Sequence, residues 1–416
     1  MAFAPAIPVI VLALVFLGIA IRRIGRFTFK IWQIMLIGAV AVLVTGQISP
    51  ASAIRAVNMD VMIFLFGMFV VGVALNESGY LLSLSTRIFR RAGNQNQLLL
   101  LLVFSLGMLS ALLMNDTIAI IGTPLALYVS RMNRISPKLL LLTLAFSVTT
   151  GSVMSPIGNP QNLLIALNGP VVNPFITFAR YLAIPTIISL ILVYLFLRIA
   201  FRKESWEREL EFNHEEVKDA RLALLSKVSL VVLVTLILIK IAGFSVGLDT
   251  WISLPAIALL SAFPILALSA RRVEIARKVD WETLIFFAAM FVLMASVWES
   301  GVLQSFFTLF GEGITSIPVI LGLSIIVSQF VSNVPWVALY LPVITKSGAS
   351  MAALMALAAG STIAGNLSIL GAASNVIIIQ NAEKEGETLT FPEFVKIGLP
   401  LTLVQALVYW FFLAIA

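Results

Sequence analysis

Residues 155–162 read Ser-Pro-Ile-Gly-Asn-Pro-Gln-Asn, and they interrupt a long run of apolar residues. A similar stretch at residues 368–375, Ser-Ile-Leu-Gly-Ala-Ala-Ser-Asn, places Ser, Gly and Asn at the same spacing in the second half of the chain. Small and polar residues inside an apolar run indicate a helix that is broken within a membrane. The two stretches therefore predict a pair of broken membrane helices, one in each half of the chain.

The composition agrees with a membrane fold. Apolar residues make up 60% of the 416 residues and charged residues only 11%, which is too little polar material for the surface of a soluble protein. The apolar runs are long and continuous, which favours helices over the short alternating strands of a membrane β-barrel. The net charge of +7 does not indicate nucleic-acid binding, because the cations lie in short loops between apolar runs. We predict an all-α protein that crosses the lipid bilayer many times.

Ten apolar runs are candidate membrane spans. They are 6–22, 30–48, 59–77, 138–168, 173–200, 223–243, 250–269, 281–298, 350–383 and 391–416. Two further runs, 97–131 and 314–346, are interrupted near the middle by Asn-Asp at 115–116 and by Ser-Asn-Val-Pro at 332–335. We predict that these two runs form re-entrant hairpins, because a hairpin keeps the flanking cations on one side, as the positive-inside rule requires.

The charges also predict the topology. With both termini outside the cell, most basic loops lie in the cytoplasm. The charged linker 201–222 then also lies there, and we expect it to form a solvated or interfacial helix. Each half contains five spans and one hairpin, so the second half is inserted upside down relative to the first. We predict two inverted repeats in the cell membrane, residues 1–200 and 223–416.

The repeat extends beyond the two broken helices. Glu77-Ser78-Gly79 matches Glu299-Ser300-Gly301, and further along the chain Asn115 matches Asn333 and Pro124 matches Pro342. Together with the Ser, Gly and Asn of the breaks, three blocks recur in the same order, with small deletions between them. A series of matches supports a repeat far better than one match does.

The interruptions carry residues that suit a binding site. Asn, Asp, Ser and Thr are helix N-cap residues, and a helix that begins inside the membrane offers free N–H groups to an anion. Gly158 and Gly371 permit unusual backbone conformations, and freed carbonyls there could bind Na⁺, as could groups near Asn115 and Asn333. The same residues could instead only cap and join helices. The candidate substrate-binding residues are Asn115, Asp116, Thr117, Ser155, Gly158, Asn159, Asn162, Ser332, Asn333, Ser368, Gly371, Ser374 and Asn375.

Asp116 breaks the symmetry of the repeat, because Val334 stands at the corresponding position. An ionisable group within a membrane segment is costly and by default functional. Asp116 could cap its own half-helix or carry a proton or cation, and the two roles are compatible. Asn115, Asp116 and Asn333 are therefore the candidates for ion coupling.

At these residues the chain resembles the ion transporter superfamily, which includes arsenite efflux permeases, divalent anion/Na⁺ symporters and NhaD-type antiporters. The resemblance rests on the motifs at 114–117, 155–162, 332–335 and 371–375. It looks most like the branch of arsenite permeases and citrate transporter-like anion permeases. The resemblance implies a transport domain of two hairpins and two broken helices that moves like an elevator against the scaffold of a homodimer.

The expected function is secondary active transport of a small anion or oxyanion, driven by an H⁺ or Na⁺ gradient, without enzyme activity or a cofactor. The chain has no phosphate-binding Gly-Lys-Ser/Thr loop, so any ATP-driven transport would need a partner ATPase, as an arsenite-type permease would have. A Na⁺/H⁺ antiporter, a Na⁺-coupled dicarboxylate or citrate symporter and an ion channel remain as alternatives.

Overall fold

The computed structural model describes residues 6–21, 23–24, 27–207, 210, 217–247, 252–302 and 311–416. In this part of the chain, helices dominate, and two antiparallel two-residue strands, β1 (Arg23–Ile24) and β2 (Phe27–Thr28), form a small ribbon. The prediction of an all-α fold is confirmed apart from that ribbon. The helices are α1 (Ile7–Ile21), α2 (Ile31–Val44), α3 (Pro50–Ala56), α4 (Met59–Glu77), α5 (Tyr80–Phe89), α6 (Gln95–Leu113), α7 (Asn115–Asn133), α8 (Pro137–Ser152), α9 (Pro160–Asn168), α10 (Pro174–Ala200), α11 (Ala220–Ala242), α12 (Leu254–Leu268), α13 (Arg272–Lys278), α14 (Trp281–Glu299), α15 (Ile317–Val331), α16 (Asn333–Lys346), α17 (Met351–Leu367), α18 (Ala373–Lys384) and α19 (Phe391–Ala414).

Many of these helices have the length and composition of membrane spans. Among the described residues, six helices are long and apolar enough to cross a membrane, namely α4, α6, α10, α11, α14 and α19. Shorter apolar helices are α1, α2, α12, α15 and α17. Helices α10, α11 and α19 expose large apolar side chains such as Ile199, Leu238 and Leu407, which suits contact with lipid.

Both predicted breaks are present. The first apolar run, 138–168, is divided into α8 and α9, and the second, 350–383, is divided into α17, a 3₁₀ turn (Ile369–Gly371) and α18. Helix α9 starts with a conventional cap, because the Asn159 side chain accepts a hydrogen bond from the Asn162 N–H at 2.8 Å and Pro160 follows it. Ala372 occupies the N-cap position of α18 and offers no side-chain bond.

The two interrupted runs each form a pair of helices joined at one residue. Met114 joins α6 to α7 with φ 68°, and Ser332 joins α15 to α16 with φ 69°. With ψ values of 141° and 156°, both lie in a region that non-glycine residues avoid, at a cost of about 1–3 kcal/mol. Each of the two residues directly precedes the asparagine that the repeat pairs, Asn115 in the first half and Asn333 in the second.

The helices pack in two groups that each draw on both halves of the chain. In one group, here called the interrupted group, α6–α10 pack against one another and against α15–α19. In the other, the flanking group, α4 packs on α12 and α14 packs on α2. Close approach within the interrupted group depends on glycine, because a Cβ on Gly151 would lie 2.2 Å from the Gly107 backbone oxygen. The groups meet where α4 contacts α7 and α9, and where α14 contacts α16.

The described part of the linker differs from the prediction. The described residues between Phe201 and Asp219 form turns and irregular structure instead of a helix. Its first part bonds to the start of α6, where the Gln95 side chain donates to Glu204 at 3.2 Å and the Asn96 N–H donates to the Trp206 oxygen at 3.1 Å. These bonds to another element replace the internal bonds of a helix. Residues 208–209 and 211–216 lie outside the described part of the chain.

Candidate binding site

The predicted site residues lie in the interior of the interrupted group. All of the thirteen candidates except Ser332 are buried. At the first break, the Asn162 side-chain amide donates to the backbone oxygens of Ser152 (3.1 Å), Val153 (3.2 Å) and Ser155 (3.0 Å). These carbonyls lie at and just beyond the end of α8, where the regular helical bonds stop; those of Ser152 and Ser155 also accept from the N–H groups of Ser155 and Gly158, both at 3.3 Å. Asn162 therefore satisfies backbone groups that hydrocarbon would leave unpaired.

The second break repeats this arrangement. The Asn375 side-chain amide donates to the backbone oxygens of Gly365 (2.6 Å) and Ser368 (3.4 Å). The acceptors correspond in the two halves as the donors do. Gly365 corresponds to Ser152 and Ser368 to Ser155, at the offset that separates Asn375 from Asn162. The side-chain oxygen of Asn375 is buried and has no hydrogen-bond partner in the described chain, and the same is true of the Ser374 hydroxyl. Unpaired buried oxygens next to a break are suited to a cation or a hydrogen-bond donor.

The junctions of α6 with α7 and of α15 with α16 are here called the first and the second tip. The first tip is bonded directly to the first break. The Asn115 N–H donates to the Gly158 oxygen at 2.8 Å, and the Asn115 side chain accepts from the Asp116 N–H at 2.9 Å. Thr117 faces the flanking group, because a Cβ on Gly72 of α4 would lie 2.6 Å from the Thr117 methyl carbon. The first tip therefore touches both the broken helix and the neighbouring group.

Asp116 does not cap its half-helix. Met114 occupies the N-cap position of α7, and Asp116 is the second residue of the helix. The cap interpretation is wrong because the positive φ of Met114 places the helix start one residue earlier, and the Asn115 side chain already accepts the Asp116 N–H. The Asp116 side chain is 8% exposed, and no hydrogen bond or ion pair from the described residues reaches its carboxylate. It stands as an isolated acid group at the start of α7.

The second tip is held differently. No bond equivalent to that between Asn115 and Gly158 joins Asn333 to Gly371 among the described residues. Instead, Gln329 of α15 donates to the Ala364 oxygen at 2.9 Å and accepts from the Ser368 hydroxyl at 2.7 Å. Gln329 was not among the predicted residues, although a glutamine inside an apolar run, one turn before the tip, was a signal.

Two further polar clusters join the broken helices. Thr362 of α17 accepts from the Asn159 side chain at 3.2 Å and from the Gln161 side chain at 3.3 Å, which connects α17 to the first break. Asn366 donates to Thr150 at 2.9 Å and to Gln405 of α19 at 2.9 Å. Apart from Asn159, these residues were not among the candidates, because a single polar residue in an apolar helix has no distinctive spacing.

The four half-helices that follow the tips and the breaks pack against one another. After the tips, α7 contacts α18 and α16 contacts α9, so each tip helix meets the half-helix that follows the other repeat's break. Their N-termini carry partial positive charge, and none of the thirteen site residues is basic. Some of the first-turn N–H groups of α7 and α9 already donate within the chain, to Gly158, Asn115 and Asn159. No group of three or more His, Asp or Glu side chains that could hold a metal occurs in the described ranges. The arrangement can bind a small anion through backbone dipoles, with Asp116 as its one ionisable side chain.

These features, together with the apolar helices, define a multi-pass membrane transporter. The chain belongs to the citrate transporter family (CitMHS), whose sequence profile matches residues 16–353. The resemblance to the ion transporter superfamily, of which this family is part, is therefore confirmed. Transporters of this family need no cofactor.

Individual relatives agree with this assignment. An uncharacterised transporter of Mycobacterium tuberculosis is 27% identical over 90% of each chain. The silicon efflux transporter LSI3 of rice, Oryza sativa subsp. japonica, is 25% identical over 89% of each chain. Among solved structures, the YdaH transporter of Alcanivorax borkumensis superposes with a TM-score of 0.58 at 17% identity, covering 88% of this chain and 87% of the other. That last likeness concerns the fold alone.

Proposed function

We propose that this protein is a secondary active transporter of a small anion or oxyanion, driven by an H⁺ or Na⁺ gradient. The observation that carries the proposal is the set of four half-helices that contact one another across the two halves of the interrupted group, with a buried and unpaired carboxyl group, Asp116, at the start of one of them. Free N–H groups provide an anion site without cationic side chains. A buried carboxyl group provides a carrier for a proton or a cation.

The architecture of the proposed transporter is a pair of inverted repeats with two re-entrant hairpins, formed by α6 with α7 and by α15 with α16. The matching hydrogen bonds of Asn162 and Asn375 support the repeat, since the donor and the acceptors in the second half follow those in the first half by the same number of residues. The positive φ angles of Met114 and Ser332 support it as well. The interrupted group would move as an elevator against the flanking group of a homodimer, in the cell membrane, with both termini outside and residues 201–222 in the cytoplasm.

The proposed substrate is held by Asn115, Thr117 and Asn333 at the tips and by the serine, glycine and asparagine residues of the breaks. Because no basic side chain belongs to this set, binding relies on helix dipoles and hydroxyl and amide groups. This suits citrate or another carboxylate, or a weakly charged oxyanion; the rice relative is named for silicon efflux and the family for citrate. An arsenite-type substrate would allow a partner ATPase.

The proposed coupling ion is H⁺ or Na⁺. Asp116 would carry the proton or pair with the cation, and Asn115 and Asn333 would help to form the ion site. Na⁺ could bind backbone oxygens near Gly158 and Gly371, where helix breaks leave carbonyl groups without regular partners. The buried, unpaired oxygen of Asn375 adds one more ligand of the kind that Na⁺ prefers.

Transport assays in proteoliposomes test this function. Purified protein is reconstituted, and uptake of citrate, arsenite, silicic acid, phosphate and sulfate is measured under imposed pH or Na⁺ gradients. We expect saturable accumulation of at least one of these solutes that requires one of the gradients. Proton flux driven by Na⁺ without any of these solutes would instead support an antiporter, and a continuous non-saturating current in a planar bilayer would support a channel.

A further inference from the structure

A cavity of about 370 Å³ lies between α9, α14 and α16. Its walls include the later parts of α9 and α16, two helices whose first turns carry candidate site residues, and α14 of the flanking group faces it. Most of the wall is apolar, with Leu164, Phe291, Met294 and Leu339 among the lining residues. The cavity is therefore at the boundary between the two helix groups.

The polar residues of this cavity can all donate hydrogen bonds. Asn168 lines it at the end of α9, and Thr345 and Lys346 line it at the end of α16. The Thr345 hydroxyl is buried and has no hydrogen-bond partner in the described chain. None of the described residues that line the cavity is acidic; Glu299 follows the lining residue Trp298 but is not part of the wall. Donors and a cation without an acid group are suited to an anion.

Lys346 is held at this cavity by an aromatic ring. Its ammonium nitrogen lies 4.6 Å from the centre of the Trp298 ring on α14. A cation on a ring face keeps its full charge, so it remains available to an anion that arrives. The C-terminal end of α16 carries about half a negative charge from its helix dipole, which repels anions. The attraction for an anion at this place therefore depends on Lys346.

The corresponding place in the first half lacks these features. With the offsets of the repeat, Tyr128 corresponds to Lys346 and Asn76 corresponds to Trp298. The lysine and the tryptophan that holds it thus have no counterparts at the corresponding positions of the first half, which is not explained by the repeat itself.

We propose that this cavity is an access vestibule for an anionic substrate and that Lys346 is the residue that attracts it. The proposal rests on the proposed function and narrows its substrate class to carboxylates or oxyanions that carry charge near neutral pH. A neutral weak acid gains nothing from the ammonium group. Lys346 therefore acts on the approach of the substrate, and the candidate binding site acts on its retention.

The chain has no cysteine, so a single cysteine at 346 can be given different charges. Lys346→Cys is measured unmodified, after an aminoethyl methanethiosulfonate that restores the positive charge, and after a sulfonatoethyl reagent that makes it negative. Citrate uptake is the probe. We expect the KM to rise roughly 3- to 10-fold in Lys346→Cys, to return with the positive adduct and to rise further with the negative one. Vmax should not change, and high salt should reduce the differences in KM between the three charge states.

Lys384→Cys is the matched control, because Lys384 is an exposed lysine at the end of α18 and does not line the cavity. It should show one KM in all three charge states, and Lys346→Arg should keep the KM of the natural protein. If citrate is transported with a KM that does not depend on the charge at residue 346, or if only Vmax changes, the vestibule proposal is wrong and the proposed function stands. If the natural protein transports none of the anions tested, both proposals are wrong.

Discussion

Asp116 is the residue whose chemistry bears most directly on coupling. It is buried, it lies beside the bond that joins the first tip to the first break, and it has no partner in the described chain. We expect Asp116→Asn to fold, because the amide replaces a carboxyl group that makes no described bond, and to lose the dependence of transport on the driving gradient. Flux measured in proteoliposomes with and without the gradient checks this.

The control for Asp116 is Asp60→Asn, since Asp60 is also an acid in the first turn of a helix, but it is exposed on α4. This variant should retain gradient-driven uptake. Unchanged coupling in Asp116→Asn would remove Asp116 from the coupling mechanism. Loss of folding, detected by gel filtration, would mean that Asp116 supports structure.

Ser332 allows a second prediction, about backbone strain. Its φ of 69° costs about 1–3 kcal/mol for a residue with a side chain, and glycine avoids most of this cost. Ser332→Gly should therefore raise the free energy of unfolding by about 1 kcal/mol, which thermal melting in detergent can detect. Ser328→Gly, one turn earlier inside α15, should lower it by about 1 kcal/mol. Equal destabilisation by both variants would show that the tip is not strained.

At the scale of the element, Asn162 and Asn375 replace the helical bonds that the breaks remove. Removing a buried partner leaves unsatisfied carbonyls at about 1–3 kcal/mol each. We expect Asn162→Ala, which removes three hydrogen bonds, to destabilise the protein by about 2–4 kcal/mol, and Asn375→Ala, which removes two, to cost less. Melting curves compare them with exposed Asn168→Ala. The reverse order would contradict a role in closing the broken helices.

The junction of α4, α11 and α13 depends on an ion-pair cluster. Hydrogen bonds from Arg271 and then Lys278 lower the pKa of Glu274 to about 2, and both cations also pair with Glu77. A carboxyl group with a lowered pKa stabilises the fold above its unfolded value near 4.5, and this stabilisation is lost as the pH falls towards 2. We expect the melting temperature to fall less steeply below pH 4.5 in Glu274→Gln than in the natural protein.

A carboxyl group outside this cluster provides the comparison. Glu383 is exposed and forms no ion pair with described residues, so Glu383→Gln should leave the steepness of the melting profile as it is. The same profile in Glu274→Gln and the natural protein would show that water screens the cluster fully, as it does for many surface pairs.

The elements were predicted well where one short stretch determines them. The bounds of α4 follow from a continuous apolar run, and both breaks follow from Gly and Asn at a repeated spacing. The site was predicted less fully, because bonds such as those from Gln329 to Ala364 and Ser368 join residues 35 and 39 positions apart. Such partners depend on how α15 packs against α17. A period in the sequence gives the buried face of a helix, but it does not give the rotation and depth at which two helices meet.

At the scale of the whole molecule, the proposed elevator movement requires α7 to slide past α4. A Cβ on Gly72 of α4 would lie 3.5 Å from the Cβ of Thr117, which is within the range for a disulfide. In this cysteine-free chain, Gly72→Cys with Thr117→Cys should form one cross-link between the two groups and stop transport. Because Thr117 also belongs to the proposed substrate site, reduction with dithiothreitol should return uptake to the level of the Thr117→Cys single variant. Uptake in proteoliposomes before and after reduction measures this effect.

The matched pair lies inside the interrupted group. Ser324 of α15 and Gly360 of α17 also approach closely, with the Ser324 Cβ 3.0 Å from a Cβ placed on Gly360, so a separation of the two helices by about 0.5 Å brings the pair into the disulfide range. If these helices move as one body, Ser324→Cys with Gly360→Cys should cross-link without stopping transport. Transport that continues with α4 fixed to α7 would rule out sliding between the two groups. The substrate would then have to pass by local movement of the tips. The second tip would move most easily, because among the described residues Asn333 has no bond like the one that joins Asn115 to its break.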